Sequence, residues 1–373
     1  MNVPKLRFKE FNDEWSFTEL AKISSDISYG MGLASKEYDG VNKYIRITDI
    51  DEKTNKYSNK DIVSPDGVLE DKYLVNKNDI LFARTGASTG KTYLYDEKDG
   101  KLYFAGFLIR ANIVNHDANF IFQQTKTNKY NKWVKIMSMR SGQPGINSQE
   151  YGSYKFSITS PEEEEKISKT LNLLDKKIEL QTKKIEDLKL FKLCTAKIIF
   201  KDNSLLCKKQ LKELCNIVKG KQINSEFLSE AGEYYMLNGG INPSGFINEY
   251  NTNENTISIS EGGNSCGYVN FNKSKFWAGG HCYTITPIDI NNIYLYQILK
   301  YNENKIMDLR VGSGLPNIQK KDLENFSINV HRSNMQNKIA TILSSIDKLI
   351  DLEEKKINNI EKLKKGLMQN MFV

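Results

Sequence analysis

"EKISKTLNLLDKKI" at 165–178 and "NKIATILSSIDKLI" at 337–350 are one segment written twice, 172 residues apart. The match extends outward: Pro144 aligns with Pro316, Ile146 with Ile318, and across a two-residue slip "FSI" at 156–158 meets "FSI" at 326–328. Further upstream it loosens, with "YIRITDI" from 44 against "YMLNGGI" from 235, and "YFAGF" from 103 against "FWAGG" from 276. Self-similarity at a fixed offset marks a duplicated unit. The chain therefore reads as domain, helix, second domain, second helix.

Each copy closes on a long helical pattern. Ile167, Leu171, Leu174, Ile178, Ile185, Leu188 and Ile199 keep 4–3 spacing, and no Pro or Gly interrupts residues 162–201. Ile339, Leu343, Ile346, Ile350, Ile357, Ile360, Leu367 and Met371 hold the same register in the second copy. A rod of some 40 residues, about 60 Å at 1.5 Å per residue, cannot bury its stripe alone, so the two helices are expected to pair. Polar residues break both seams at equivalent places, Gln181 with Glu353 and Lys192 with Lys364. Parallel in-register pairing would stack lysine on lysine in a poorly solvated seam. Antiparallel pairing with a pseudo-two-fold axis avoids this, sets each polar residue against an apolar one, and brings Glu162–Glu165 near Lys362, Lys364 and Lys365.

Between the helices, short β-like runs ("KYIRITDI", "DILFAR", "LYFAGFLIRANIV"; then "EYYMLNGGI", "TISIS", "GYVNF", "CYTITPI") alternate with loops rich in Asn, Ser, Gly, Thr and Lys. The expected fold is α+β: two mixed domains with helices near 119–139 and 291–308, separated by two long helices in an antiparallel coiled coil. The boundaries are read as 1–160, 161–204, 205–332 and 333–373.

A chain of 373 residues with 39% hydrophobic content has room for two or three cores. Its 53 Lys and Arg against 46 acids give +7, compatible with a polyanionic partner without requiring one. The five cysteines form no CxxC pair, and three histidines assemble no zinc-ligand spacing. With no apolar run of membrane-spanning length and no signal-peptide core in "MNVPKLRFKEF", the expected setting is the cytoplasm, with reduced thiols and no membrane.

One motif suggests nucleotide chemistry. "DILFARTGASTGKTYLYD" at 79–96 runs a strand into Gly-Lys-Thr, close to a phosphate-cradling loop. Such a loop needs Gly-x-x-x-x-Gly-Lys-Ser/Thr before a helix. Here Thr85 holds the first position, three residues separate Gly86 from Gly90, and β-like sequence follows; the partner copy, "SISEGGNSCGYV", has Tyr268 in place of the lysine. Both copies keep a strand, a tight glycine loop and a return strand. That is either a plain hairpin or a loop bringing backbone amides and small side chains to a ligand.

The segments "SGQPGINSQEYGSYKFSITSPEEEEKISKTLNLLDKKI" and "GSGLPNIQKKDLENFSINVHRSNMQNKIATILSSIDKLIDLEEKKI", each after a variable domain, resemble the specificity subunit of a type I restriction-modification system. "VPKLRFKEFNDEWSFTELAKI" and "NDILFARTGASTGK" are similar to segments of the same family. The resemblance covers nearly the whole chain. It implies two target recognition domains, each reading half of a bipartite double-stranded DNA site, and a helical spacer fixing the gap. The implied partners are methyltransferase subunits, two from the duplication, and translocase-nuclease subunits; S-adenosylmethionine, ATP and Mg would sit on those partners. This chain is then a non-catalytic reader holding no cofactor and no metal, in keeping with its lack of an Asn/Asp-Pro-Pro-Tyr/Phe motif.

Candidate DNA-contacting residues follow from loop position and side-chain type. In the first domain they are Arg46, Arg84, Thr85, Ser88 and Lys91; in the second, Asn238, Asn264, Ser265, Lys273 and His281. Arg84 and Lys91 flank the glycine turn, either toward phosphate or guanine or as solvated surface ions. His281 reads slightly more readily as a satisfied core histidine than as a base reader. Ser141, Gln143 and Ser313 sit where each domain meets its helix, a place for DNA contact or for helix entry.

Overall fold

The computed structural model describes residues 3–139, 144–201, 206–312 and 314–373. The chain divides into two units, Met1–Leu180 with Ile357–Val373, and Gln181–Lys356. Each unit holds one domain and a part of both long helices.

In the first unit, four antiparallel strands lie in the order Ser24–Tyr29, Leu108–Ile113, Asp79–Ala83, Thr92–Leu94. In the second, Cys215–Lys219, Cys282–Pro287, Thr256–Ser260 and Val269–Asn272 repeat that order. Beside each sheet lies one parallel pair, Lys43–Ile45 with Leu102–Phe104 and Tyr234–Leu237 with Phe276–Ala278. The strand Asp79–Ala83 is buried on both faces, which is why "DILFA" reads as a continuous apolar run rather than an alternating one. The expected helices appear as Ala118–Gln124 with Asn128–Ser138, and Asn292–Tyr301 with Glu303–Met307. Asp117 and Asn291 cap equivalent helix starts, each side chain accepting from a backbone N–H three residues on.

The long helices run Pro161–Lys201 and Ser333–Met371. Their pairing is antiparallel within each unit: Lys364 Nζ meets Asp175 Oδ1 at 2.5 Å in the first, and Lys192 Nζ meets Asp347 Oδ1 at 2.6 Å in the second. These two ion pairs are the same pair under the repeat, so the orientation is as the sequence indicates. The polar residues, however, do not face apolar ones. Each seam lysine finds an aspartate, and Gln181 hydrogen-bonds Glu353, its own repeat equivalent, which Lys184 and Lys356 also engage. In an antiparallel pair of like helices, one equivalent position must meet its counterpart.

The acidic start also departs from expectation, because it turns into the domain instead of toward Lys362–Lys365. Glu163 takes Arg7, Trp15 and Thr159, while Glu164 accepts from the Asp117 and Thr159 amides and pairs with His116. Ile167 and Leu171 join Trp15, Phe120 and Met371 in the first core, so the start of the stripe serves the domain as well as the second helix.

Asp175 also draws in Lys126, at 3.9 Å, from just past the helix Ala118–Gln124. Burial first, and Lys364 second, push the Lys126 ammonium down to about 8. The unfolded lysine holds its proton up to about pH 10.5, so this site opposes folding fully below pH 8, and the opposition fades as pH rises through that window. Lys126→Met leaves Asp175 to Lys364. It is expected to raise stability by about 1–3 kcal/mol at pH 7 and to flatten the gain between pH 8 and 10.5, as urea denaturation across that range would show.

Candidate nucleic-acid interface

The two glycine loops are the same structure. Gly86 N–H donates to Pro144 O, Thr89 to Gly86, Gly90 to Ala83 and Lys91 to Ser88; in the second unit Gly263 donates to Pro316, Cys266 to Gly263, Gly267 to Ser260 and Tyr268 to Ser265. Gly86 and Gly90 have φ of +72° and +90°, Gly263 and Gly267 +76° and +90°, so both turns use the left-handed region glycine enters freely. These four amides in each loop are satisfied by the protein's own carbonyls, the bonding of a closed turn. The loop is a hairpin that aims its flanking side chains.

The residue entering each loop belongs to a second shared frame. Gly30 N–H donates to Leu108 O, Met31 to Phe104, Leu108 to Ala105, Arg84 to Phe107, and Ile146 to Arg84. Gly220 donates to Cys282, Lys221 to Ala278, Cys282 to Gly279, Glu261 to His281, and Ile318 to Glu261. Bond by bond, Tyr29 corresponds to Lys219, Arg84 to Glu261, and Phe107 to His281. This frame also corrects the upstream alignment by one residue: Ala105 matches Gly279, not Ala278, and Tyr44 matches Met236.

What stands on the frame differs between units. In the first, the Arg84 guanidinium lies 5.0 Å from the Tyr29 ring and 6.0 Å from the Phe107 ring, with Nε donating to Gly106 O at 2.9 Å. Its two terminal nitrogens have no partner among the described residues. In the second, Glu261 takes Lys219 Nζ at 2.5 Å on Oε1 and His281 Nδ1 at 3.1 Å on Oε2, while Tyr283 Oη donates to Oε1. A cation between two rings has become an anion between two bases.

The remaining candidates separate. Arg46 is held by Asp49 and Asp61, whose hydrogen bonds, Asp49's first, raise its pKa despite burial; it closes a 3-10 turn at Ile47–Asp49. Lys91 turns inward to Ile50 O and Glu52. Thr85 bridges Gly145, Ser88 and Ser265 occupy equivalent loop positions, and Asn264 is exposed. Lys273 pairs with Asp351 of the second long helix. His281 is not a core histidine: its side chain is 61% exposed, and its backbone N–H is fixed by Asn238 Oδ1 at 2.8 Å. Asn238 also borders an open cavity of about 560 Å³ with Gln222, Asn224 and Ser244. Ser141, Gln143 and Ser313 lie outside the described residues. Tyr29, Phe107, Lys219 and Glu261 escaped sequence reasoning; aligning Gly30 with Gly220 would have matched Tyr29 with Lys219, whereas Phe107 and Glu261 needed the hydrogen-bond register.

Among the described residues, no cluster of three or more His, Cys, Asp or Glu could hold a metal ion, and no helix is long and apolar enough to cross a membrane. The family model described as "Type I restriction modification DNA specificity domain" matches residues 16–190 and 205–362. A putative type I specificity subunit of Mycoplasma pneumoniae is 36% identical over 182 residues, 48% of this chain and 48% of that protein. One of Mycoplasma genitalium is 31% identical over 161 residues, 42% of each. The chain thus spans about half the length of these curated relatives. Over the whole chain, a putative specificity subunit of Methanocaldococcus jannaschii is 26% identical, covering 98% of this protein and 95% of that one. Among solved structures, the type I S subunit from M. genitalium matches with a TM-score of 0.72 at 20% identity, covering 100% and 99% of the two chains.

Proposed function

Because the chain belongs to the type I restriction-modification DNA specificity family, we propose that it is the non-catalytic reading subunit of such a complex, each unit reading one half of a bipartite double-stranded DNA site. The observation that carries this is the doubled frame: one hydrogen-bonded scaffold, built twice, presenting Tyr29, Arg84 and Phe107 in one unit and Lys219, Glu261 and His281 in the other. A scaffold held constant beneath changing side chains is what base readout requires, since backbone contacts set register and side chains specify. The two half-sites therefore differ, and the paired long helices set the unread gap.

The chemistry belongs to partners: methyltransferase subunits with S-adenosylmethionine, and translocase-nuclease subunits with ATP and Mg, in the cytoplasm. The glycine loops support this division, because a strand, Thr92–Leu94 or Val269–Asn272, follows each of them where a phosphate-binding loop needs a helix. Two methyltransferase copies fit the repeat. Leu180 and Leu352 are equivalent exposed leucines, 60% and 49% accessible, and Phe191 and Leu363 are a second pair of equivalent exposed apolar residues.

Adenine methylation mapped genome-wide tests the reading, in a host expressing this chain with its methyltransferase partner against the partner alone. A two-part motif with a fixed gap is expected only when the chain is present. No motif, with the complex assembled, would leave the chain a helical scaffold.

A further inference from the structure

We propose that the three equivalent positions on the shared frame are where each unit discriminates bases, the first unit reading guanine through Arg84 and the second reading a base amino group through His281. The inference rests on the DNA-reading function above and names the chemistry of its site.

Arg84 is oriented before any ligand arrives. Its Nε is committed to Gly106 O and its guanidinium lies beside the Tyr29 and Phe107 rings, which leaves the fork of two terminal nitrogens, at their fixed spacing, without a hydrogen-bond partner among the described residues. Two parallel donors match the O6 and N7 acceptors of guanine in the major groove. Phe107, 60% exposed, supplies a rigid apolar wall next to that fork.

Glu261 occupies the equivalent of Arg84 but cannot read a base itself. Its side chain is only 11% exposed, and both oxygens are engaged, by Lys219 and Tyr283 on one side and His281 on the other. It is a positioning residue. In the neutral ring, a carboxylate on Nδ1 holds the proton there, which leaves Nε2 as the acceptor. That lone pair accepts from adenine N6 or cytosine N4, while Lys219, 51% exposed, donates to a neighbouring acceptor.

The test is methylation mapping of the assembled complex with single variants of the full chain. Arg84→Gln exchanges a guanine-type fork for an adenine-type one. It is expected to shift preference at one position of one half-site by about tenfold to a hundredfold, leaving the other half-site and the gap unchanged. Phe107→Ala, at an exposed side chain, should relax the same position, and His281→Phe should relax one position of the opposite half-site only. An intact second half-site in each variant shows that the chain has folded and assembled. A uniform fall in methylation with the motif preserved would make Arg84 a phosphate contact and overturn the proposal, as would an unchanged motif in all three. Loss of any split motif in the unaltered chain would instead overturn the function on which it rests.

Discussion

Gly30→Ala is expected to destabilise the first unit by about 3 kcal/mol, at the upper end of what overpacking costs. A Cβ there would lie 2.3 Å from Ala105 O and 2.5 Å from Phe104 O. Both obstacles are backbone, so no side-chain rotation relieves them. The two strands must separate, which breaks the bonds from Gly30 to Leu108 and from Met31 to Phe104. Gly220 stands in the same place, with Gly279 O at 2.3 Å and Ala278 O at 2.4 Å, and Gly220→Ala should cost the second unit a similar amount. Gly32→Ala is the control, because nothing lies within 4 Å of its Cβ position; it should stay within about 0.5 kcal/mol of the unaltered chain. Thermal and urea denaturation of the three variants decide the matter, and a Gly30→Ala protein as stable as Gly32→Ala would refute the frame. The closeness that makes these glycines necessary is also what carries Tyr29 and Lys219 to the loop edge.

The long helices were legible because their 4–3 spacing runs for some 40 residues without Pro or Gly, and their orientation followed from two lysines that could not share a seam. The residue each lysine meets was not legible. A heptad pattern defines a face but not an axial stagger, and here Ile167 and Leu171 also pack into a domain core that the seam does not encode. The strand domains were legible as α+β units and no further. Strand side chains alternate with period two, so one residue of slip reverses the faces. Ala105 and Ala278 look equivalent in sequence, yet the hydrogen bonds to Gly30 and Gly220 pair Ala105 with Gly279. That slip hid the match of Phe107 to His281. Arg84 and His281 were both singled out from residue type, but that they belong to one repeated triad needed the backbone register. Arg46 and Lys91 drew attention as loop cations; Asp49, three residues on, and Asp61 engage the first, while Ile50 O and Glu52, distant in sequence, engage the second.

Arg7→Met should be the other severe substitution, with a loss of about 3 kcal/mol at pH 7, in the range for stranding a buried charge. Glu163 has no exposed side-chain surface, and Arg7 grips it with Nε at 2.8 Å and Nη2 at 2.7 Å while Trp15 Nε1 and Thr159 Oγ1 donate as well. Burial pushes the Glu163 carboxyl up, but the Arg7 hydrogen bond, the Thr159 hydroxyl and the Arg7 charge outweigh it, so its pKa is lowered. A carboxylate lowered on folding contributes stability above its unfolded value, about 4.3, and that contribution is lost as pH falls through the folded value. Without Arg7, burial prevails and the sign reverses: the carboxylate then opposes folding at neutral pH and ceases to do so once protonated. The deficit of Arg7→Met should therefore be largest near pH 7 and shrink below about pH 4. Adding Glu163→Gln to Arg7→Met removes the stranded charge and should recover part of the loss, so the pair is non-additive. Urea denaturation at pH 7 and pH 3.5 for the four proteins of this cycle measures it. A deficit independent of pH would mean that Arg7 acts through packing of its stem alone, and that the acid at the start of the first long helix is not what ties it to the domain.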